Sequence, residues 1–99
     1  MSNNKIYGAK GNLLKAVVLL HPGEVLGEEL EARNISQKDF AVKLGLRPSH
    51  LNELIKGKRH VSAIIALKLE KHLRIDAAFW MRLQMDYDLK MARKQVKVA

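Results

Sequence analysis

The stretch "QKDFAVKLGLRPSHLNELIKGKRH", residues 37–60, constrains the fold of this chain more than any other part of it. It contains two short amphipathic helix patterns with a tight turn between them. Gly45 favours the left-handed backbone that ends a helix, and Pro48 suits the first position of the next. Ala41 is small at the point where the second helix crowds the first, and Leu46 fills the turn. The pattern therefore predicts two helices that cross steeply around a short connection.

The same kind of pattern continues on both sides of this stretch and predicts an all-α, five-helix bundle. Ser36, Ser62 and Asp76 are predicted N-caps, because their short polar side chains accept bonds from the first amides of a helix. The predicted helices are residues 22–33, 37–44, 48–56, a fourth after Ser62 that runs through Leu73, and a fifth after Asp76.

Three segments are predicted along the chain: an N-terminal arm at residues 1–20, a helical domain at residues 21–91 and a basic C-terminal tail at residues 92–99. Residues 17–20 are apolar and β-branched enough for a short strand, although a helical turn fits almost as well. The apolar run "LLKAVVLL" is too short to span a bilayer and contains Lys15, so no membrane segment is expected.

The net charge of the chain favours polyanionic partners. The 18 Lys and Arg residues outnumber the 10 Asp and Glu residues, which gives a formal net charge of +8 in 99 residues. Such a surface favours nucleic acid or an acidic protein, although many small proteins are simply basic. The chain has no cysteine, which excludes disulfides and thiolate zinc sites and fits the cytoplasm.

Catalysis and metal binding are not expected. His21, His50, His60 and His72 lack the spacing of metal ligands, and no carboxylate cluster accompanies them. No carboxylate pair, histidine-based dyad or glycine-rich phosphate loop has a usable spacing. We therefore predict no metal, no cofactor and no enzymatic activity. His21 precedes the first helix and is a possible cap for it.

The sequence also resembles a known family. "SQKDFAVKLGLRPSHLNELIKGKRHVS" resembles the helix-turn-helix of phage-repressor-like (XRE-type) regulators, and "HPGEVLGEELE" and "FWMRLQMDYDL" on its flanks resemble the HigA (VapI-like) antitoxins. The resemblance covers roughly residues 20–91 and implies a lambda-repressor-like fold. It further implies a dimer that silences a HigB-type toxin, a RelE-like ribonuclease that cleaves mRNA, and that represses its own operon at a palindromic operator.

The DNA contacts are predicted from the position of the second helix of the motif. The N-terminal part of a recognition helix reads base edges in the major groove, and cations beside it suit phosphates. Gln37 is placed where relatives touch the phosphate backbone. Pro48 cannot donate a backbone amide, and Arg47 replaces the Ser or Thr that often caps this helix. The predicted set is Gln37, Arg47, Pro48, Ser49, His50, Asn52, Glu53, Lys56, Lys58 and Arg59.

Two protein–protein surfaces are also predicted. Phe79 and Leu83 are expected in the core, whereas Trp80, Tyr87 and Met91 are expected to be exposed and to form the interface of a homodimer. The toxin is expected to bind either the N-terminal arm or the acidic face of the first helix, formed by Glu24, Glu28, Glu29 and Glu31. A solvated helix start explains that acidic face equally well.

The sequence leaves three functions to consider. The first is the antitoxin-repressor, a cytoplasmic protein whose partners are operator DNA and a toxin. The second is a stand-alone XRE-type repressor without a toxin. The third, a basic nuclease, has the least support, because no catalytic constellation is present in the sequence. The first two differ only in the protein partner, which residue pattern alone does not reveal.

Overall fold

The computed structural model describes residues 20–98, and this part of the chain folds into five α-helices without a strand. Residues 1–19, which make up nearly all of the predicted N-terminal arm, lie outside the described residues. The helices are α1 (Pro22–Ala32), α2 (Gln37–Leu44), α3 (Pro48–Ile55), α4 (Ala63–Leu73) and α5 (Ala77–Val98). The predicted all-α, five-helix architecture is confirmed.

The ends of the helices follow from their capping residues. Ser36 and Ser62 accept from the amides of Asp39 and Ile65, as predicted. The predicted ends of α1 and α3 are each one residue too late, because Arg33 and Lys56 are C-caps rather than helical residues. At the start of α5 the Glu70 carboxylate accepts from the Ala77 amide at 3.1 Å.

His21 caps the start of α1 with its side chain, as the sequence suggested. Its Nδ1 accepts from the Gly23 amide at 2.8 Å, while the Glu24 carboxylate accepts from the His21 amide at 3.3 Å. The two bonds form a capping box, which satisfies donors that have no partner within the helix. The imidazole is buried, and the Tyr87 ring of α5 meets it edge-on with centroids 4.8 Å apart.

The core lies between α5 on one side and the α2–α3 pair on the other. Trp80 at its centre has no exposed surface. α1 packs on α3, and α4 joins α2 to α5. The buried apolar residues are Leu26, Leu30, Phe40, Ala41, Leu44, Leu51, Leu54, Val61, Ile65, Ala66, Leu69, Leu73, Trp80 and Leu83.

The rotation of α5 about its axis differs from the prediction. Trp80 was expected to be exposed at a dimer interface, and this is wrong, because its side chain is 0% exposed. Phe79, expected in the core, is only partly buried at its edge. Leu83 is buried as predicted, Tyr87 is half-buried against His21, and Met91 is 42% exposed. Both neighbouring aromatics fit a helical repeat, so spacing alone did not decide which of them faces inward.

Candidate nucleic-acid interface

The α2–α3 pair presents one side to the core and the other to solvent. Gly45 adopts the left-handed conformation (φ 70°), and the amides of Gly45 and Leu46 bond to the carbonyls of Val42 and Ala41 at 3.1 and 2.9 Å. These bonds fix the turn that reverses the chain direction. The burial of Leu51 and Leu54 turns the opposite side of α3 outward. α3 therefore packs on the core with one side and exposes the other to solvent, as a recognition helix does.

All ten predicted DNA-contacting residues are accessible to solvent. Ser49, Asn52, Glu53 and Lys56 lie on successive turns of the outer side of α3 and its C-cap. Gln37 lies at the first position of α2. The remaining five are Arg47, Pro48 and His50 at the start of α3 and Lys58 and Arg59 after its end. The structure thus leaves all ten predicted residues accessible and brings Gln37 beside Asn52 and Arg59 beside Glu53, although contact with DNA stays a prediction.

A hydrogen bond between side chains joins the two helices on this side. The Asn52 amide nitrogen donates to Gln37 Oε1 at 3.3 Å, across 15 residues of sequence. Each amide retains a free donor or acceptor, because Asn and Gln have both groups. The bond therefore holds the start of α2 and the middle of α3 in a fixed relation and leaves both side chains able to meet a ligand. The sequence indicated both residues but not their contact.

Glu53 and Arg59 form a second pair that sequence reasoning missed. Arg59 Nε donates to Glu53 Oε1, and both side chains remain about half exposed. The hydrogen bond and the positive charge of Arg59 lower the pKa of Glu53. The carboxylate therefore stays ionised and shares its acceptor capacity between Arg59 and any base it meets. The opposite charges of the two residues were a signal for the pair. Their spacing of six residues, across a turn, does not match the three- or four-residue spacing of ion pairs on a helix.

The start of α3 has no side-chain cap. Arg47 occupies the N-cap position with extended backbone, and its side chain makes no capping bond. Its carbonyl accepts from the amides of His50 and Leu51 at 3.0 and 3.1 Å. Because the guanidinium is exposed and not used for capping, it is available to an anion beside the first turn. Arg47 stands where a Ser or Thr often caps this helix. The start of α3 therefore lacks a side-chain cap and has an exposed cation instead.

Buried and partly buried polar contacts hold the motif against the rest of the bundle. The side chain of Gln84, 5% exposed on α5, accepts from the Val61 amide at 2.7 Å and donates to Asp88 at 2.9 Å. Lys68 Nζ on α4 donates to the Leu44 carbonyl at the end of α2, at 2.8 Å. Sequence reasoning missed both residues. The one signal for Gln84 was a polar side chain four residues after Trp80, on the inward side of α5.

Residues 20–98 also bear on metal binding and on membrane insertion. This part of the chain contains no group of three or more His, Asp or Glu side chains placed to hold a metal ion. None of its helices is both long enough and apolar enough to cross a membrane.

Comparison with known proteins places these features in context. Residues 26–80 match the helix-turn-helix family model. Virulence-associated protein I of Dichelobacter nodosus is 40% identical over 76 residues, which are 76% of this chain and 70% of that protein. An addiction-module antidote protein of the HigA family from Coxiella burnetii has a TM-score of 0.72 and 36% identity, over 78% of this chain and 85% of that one. The Pseudomonas aeruginosa antitoxin HigA, solved with the higBA promoter, has a TM-score of 0.73 and 34% identity, over 79% and 90% of the two chains.

Proposed function

Since the chain belongs to the helix-turn-helix family, and within it to the HigA (VapI-like) antitoxins, we propose that it neutralises a HigB-type, RelE-like mRNA-cleaving toxin and represses its own operon. It has a DNA-binding motif in a lambda-repressor-like fold of five helices. The observation that supports the proposal most is the outward side of α3, which is accessible over its length and bordered by cations. The protein acts in the cytoplasm, where operator and toxin are both present.

In the proposed complex α3 lies in the major groove of the operator. Asn52 reads an adenine, Glu53 accepts from a cytosine amine, and Ser49 contributes a less selective contact. Arg47, Lys56, Lys58 and Arg59 neutralise phosphates on both sides of the helix. Gln37, at the positive end of α2, contacts the backbone, where a helix N-terminus favours an anion. His50 and Pro48 complete the surface that enters the groove.

Operator binding is tested with the DNA upstream of the chain's own gene. Fluorescence anisotropy at fixed salt should give a Kd for that DNA that is orders of magnitude below the Kd for a scrambled duplex. Asn52→Ala should weaken specific binding by about 1–3 kcal/mol and leave binding to scrambled DNA nearly unchanged. Equal affinity for the two duplexes, or an Asn52→Ala variant that binds the operator normally, would contradict the proposed mode.

The proposed toxin contact uses the acidic side of α1. Glu24 is engaged in the capping box and Glu29 pairs with Arg33 at 3.0 Å. Glu28 and Glu31 are exposed one helical turn apart. Two such carboxylates complement a basic, RNA-binding partner, and this arrangement supports α1 as one side of the contact.

The toxin partner is tested by co-expression of the chain with the product of the neighbouring gene. We expect the two proteins to copurify, and growth that the neighbour arrests to be rescued by this chain. If a neighbour with toxic activity is absent, or if a toxic neighbour neither binds nor is neutralised, the chain acts as a stand-alone repressor. The operator assay above is unaffected by either result, so the two parts of the proposal can fail separately.

A further inference from the structure

α5 continues well past the hydrophobic core. Leu83 is its last buried apolar residue, and the helix runs on to Val98, about 22 Å further along its axis. Over residues 85–97 no side chain is buried. The segment predicted as a basic C-terminal tail is therefore helical through Val98, and each of its side chains has a defined position around the helix.

Four cations occupy one side of this extension. We call them the basic row; it consists of Lys90, Arg93, Lys94 and Lys97. At 3.6 residues per turn their positions fall within roughly 100° of one another, and they line an open surface groove of about 290 Å³. The ion pairs formed among residues 20–98 do not involve this row, and residues 89–98 include no Asp or Glu. The positive charge of the row is thus not offset by neighbouring carboxylates along the extension.

The basic row continues the side of α5 that faces the rest of the bundle. Lys90 follows the buried Leu83 by seven residues, and Lys94 follows Tyr87 by seven, which is close to two whole turns. Tyr87 meets the ring of His21 at the start of α1. The side of α5 that packs on other elements therefore becomes cationic where those elements end, and the row faces the space beside the end of the bundle.

This part of α5 is also held against the segment that follows α3. His60 Nδ1 lies 3.6 Å from Asp88 Oδ2. Lys58 and Arg59 directly precede His60, and Lys90 follows Asp88 by two residues. One contact therefore joins two groups of cations into a single region of surface. Cations that lie together in this way raise the local positive potential and attract a polyanion more strongly than either group alone.

We propose that the basic row is a second DNA contact, which binds phosphates of the duplex beyond the bases that α3 reads. The inference rests on the proposed operator binding, because that binding brings a duplex next to Lys58 and Arg59. From Lys90 to Lys97 the row is about 10 Å long, which matches about three phosphate steps along one strand. Phosphate contacts carry no base information, so the row adds affinity without adding sequence preference.

The salt dependence of binding tests this contact. Lys94→Gln/Lys97→Gln removes two charges from exposed positions. The slope of log K against log salt should fall in magnitude by about 2, and the affinities for operator and scrambled duplex should fall by the same factor, several-fold or more. Lys71→Gln/Arg82→Gln, at exposed positions of α4 and of the first part of α5, is the matched control and should keep the slope. An unchanged slope in the first variant, or equal changes in the two, overturns the proposal.

A tethered cleavage reagent shows whether the extension lies on the DNA. The chain has no natural cysteine, so an iron–EDTA group can be attached through Gln95→Cys in the extension. Ala78→Cys, exposed at the start of α5 and about 26 Å away along the helix, is the control. The first conjugate should cleave the bound operator duplex, and the second should leave it intact.

Three results of these assays overturn the proposal. The first is a Gln95→Cys conjugate that leaves the duplex intact, and the second is equal cleavage by the two conjugates. The third is a Lys94→Gln/Lys97→Gln variant that loses affinity for an RNA duplex but keeps it for DNA, since the row would then bind RNA instead.

This inference and the proposed function can fail separately. A row that strengthens binding to every duplex, in a chain that does not prefer its operator, would sustain the second contact and refute the repressor. An operator preference that depends on Asn52, with a salt slope insensitive to Lys94→Gln/Lys97→Gln, would do the reverse. Anisotropy with operator and scrambled duplexes over a series of salt concentrations distinguishes the two results.

Discussion

The imidazole of His21 shows how one buried side chain can make stability depend on pH. Its Nδ1 accepts a hydrogen bond from Gly23, so the neutral ring is the form that caps α1. Burial lowers the pKa of His21, and the charge on His60 acts in the same direction; Asp88 and Glu24 oppose them more weakly. Protonation would remove the acceptor and place a charge in the core. The folded state therefore binds this proton less readily than the unfolded state does.

We expect the free energy of unfolding to fall as the pH drops below the usual histidine value of 6.5. A group whose folded pKa is depressed contributes its stability above the unfolded pKa, and that contribution disappears as the pH falls toward the folded value. Urea denaturation at pH 7.5, 6.5 and 5.5 measures the slope. His21→Asn, which retains a capping side chain without the titration, should flatten the slope, whereas His50→Asn should keep it. An unchanged slope in His21→Asn would contradict this origin.

Lys58 provides a second prediction at the residue scale, which separates phosphate contact from general charge. Replacing it by Ala should lower the slope of log K against log salt by about 1, because one fewer counterion is released on binding. Lys71→Ala removes the same charge from α4, where the side chain is exposed, and should leave the slope unchanged. Equal effects of the two substitutions on the slope would show that net charge, rather than a contact at position 58, governs binding.

At this scale the sequence predicted which residues are accessible but not how they are paired. Ser49, Asn52 and Lys58 follow from their place in the motif. The Gln37–Asn52 and Glu53–Arg59 bonds depend on the crossing of α2 with α3 and on the path of the chain after Gly57. Such bonds join residues far apart in sequence or across an irregular turn, and neither has a periodic signature. These two bonds could be recognised only from the three-dimensional structure.

α1 packs against α3, and two glycines one turn apart allow the two helices to approach closely. A Cβ at position 23 would overlap the carbonyl oxygen of Leu54, which is backbone and cannot move aside easily. A Cβ at position 27 would lie 3.1 Å from a methyl group of Ile55, which can shift by rotation of its side chain. An alanine at position 23 would therefore meet rigid backbone, whereas an alanine at position 27 would meet a side chain that can move.

Gly23→Ala should destabilise the protein by about 1–3 kcal/mol, the usual range for overpacking. Gly27→Ala is its matched control and should fall within about 1 kcal/mol of the wild type, because the gain in helix propensity offsets the tighter contact. Urea midpoints with unchanged m-values measure both. The expectation fails if Gly23→Ala is as stable as Gly27→Ala. Loss of operator affinity by Gly23→Ala beyond its loss of folded protein would show in addition that α1 sets the angle of α3.

The existence and order of the helices followed from local signals, whereas the rotation of α5 did not. Gly45, Pro48 and Ser62 each determine the local backbone, so α2 and the start of α4 were predicted correctly. α5 contains apolar residues on two opposite sides, and both rows fit a helical repeat. Only packing against the other helices shows that Trp80 is inside and that Met85 is outside. This is why the predicted dimer residues were placed on the inward side of the helix.

At the scale of the whole molecule, opposite charges are concentrated on different helices. Cations border α3 and continue along the end of α5 with Lys90, Arg93, Lys94 and Lys97, whereas the exposed side of α1 bears Glu28 and Glu31. In a chain with a net charge of +8, this acidic area is separate from the cations that border α3. The proposed antitoxin would use this separation, whereas in a stand-alone repressor the acidic area would be a solvated helix start that stabilises the helix dipole.

Neutralising the acidic area should therefore weaken toxin binding and spare operator binding. For Glu28→Gln/Glu31→Gln we expect the affinity for the copurified toxin to fall at low salt, and the difference from the wild type to shrink as added salt screens the charges. Asp76→Asn removes a carboxylate at the start of α5 and serves as the control, with toxin affinity unchanged. Calorimetric titration of the toxin and anisotropy with operator DNA give the two affinities. If the double variant binds toxin normally at low salt, the contact lies elsewhere, and the N-terminal arm becomes the surface to test.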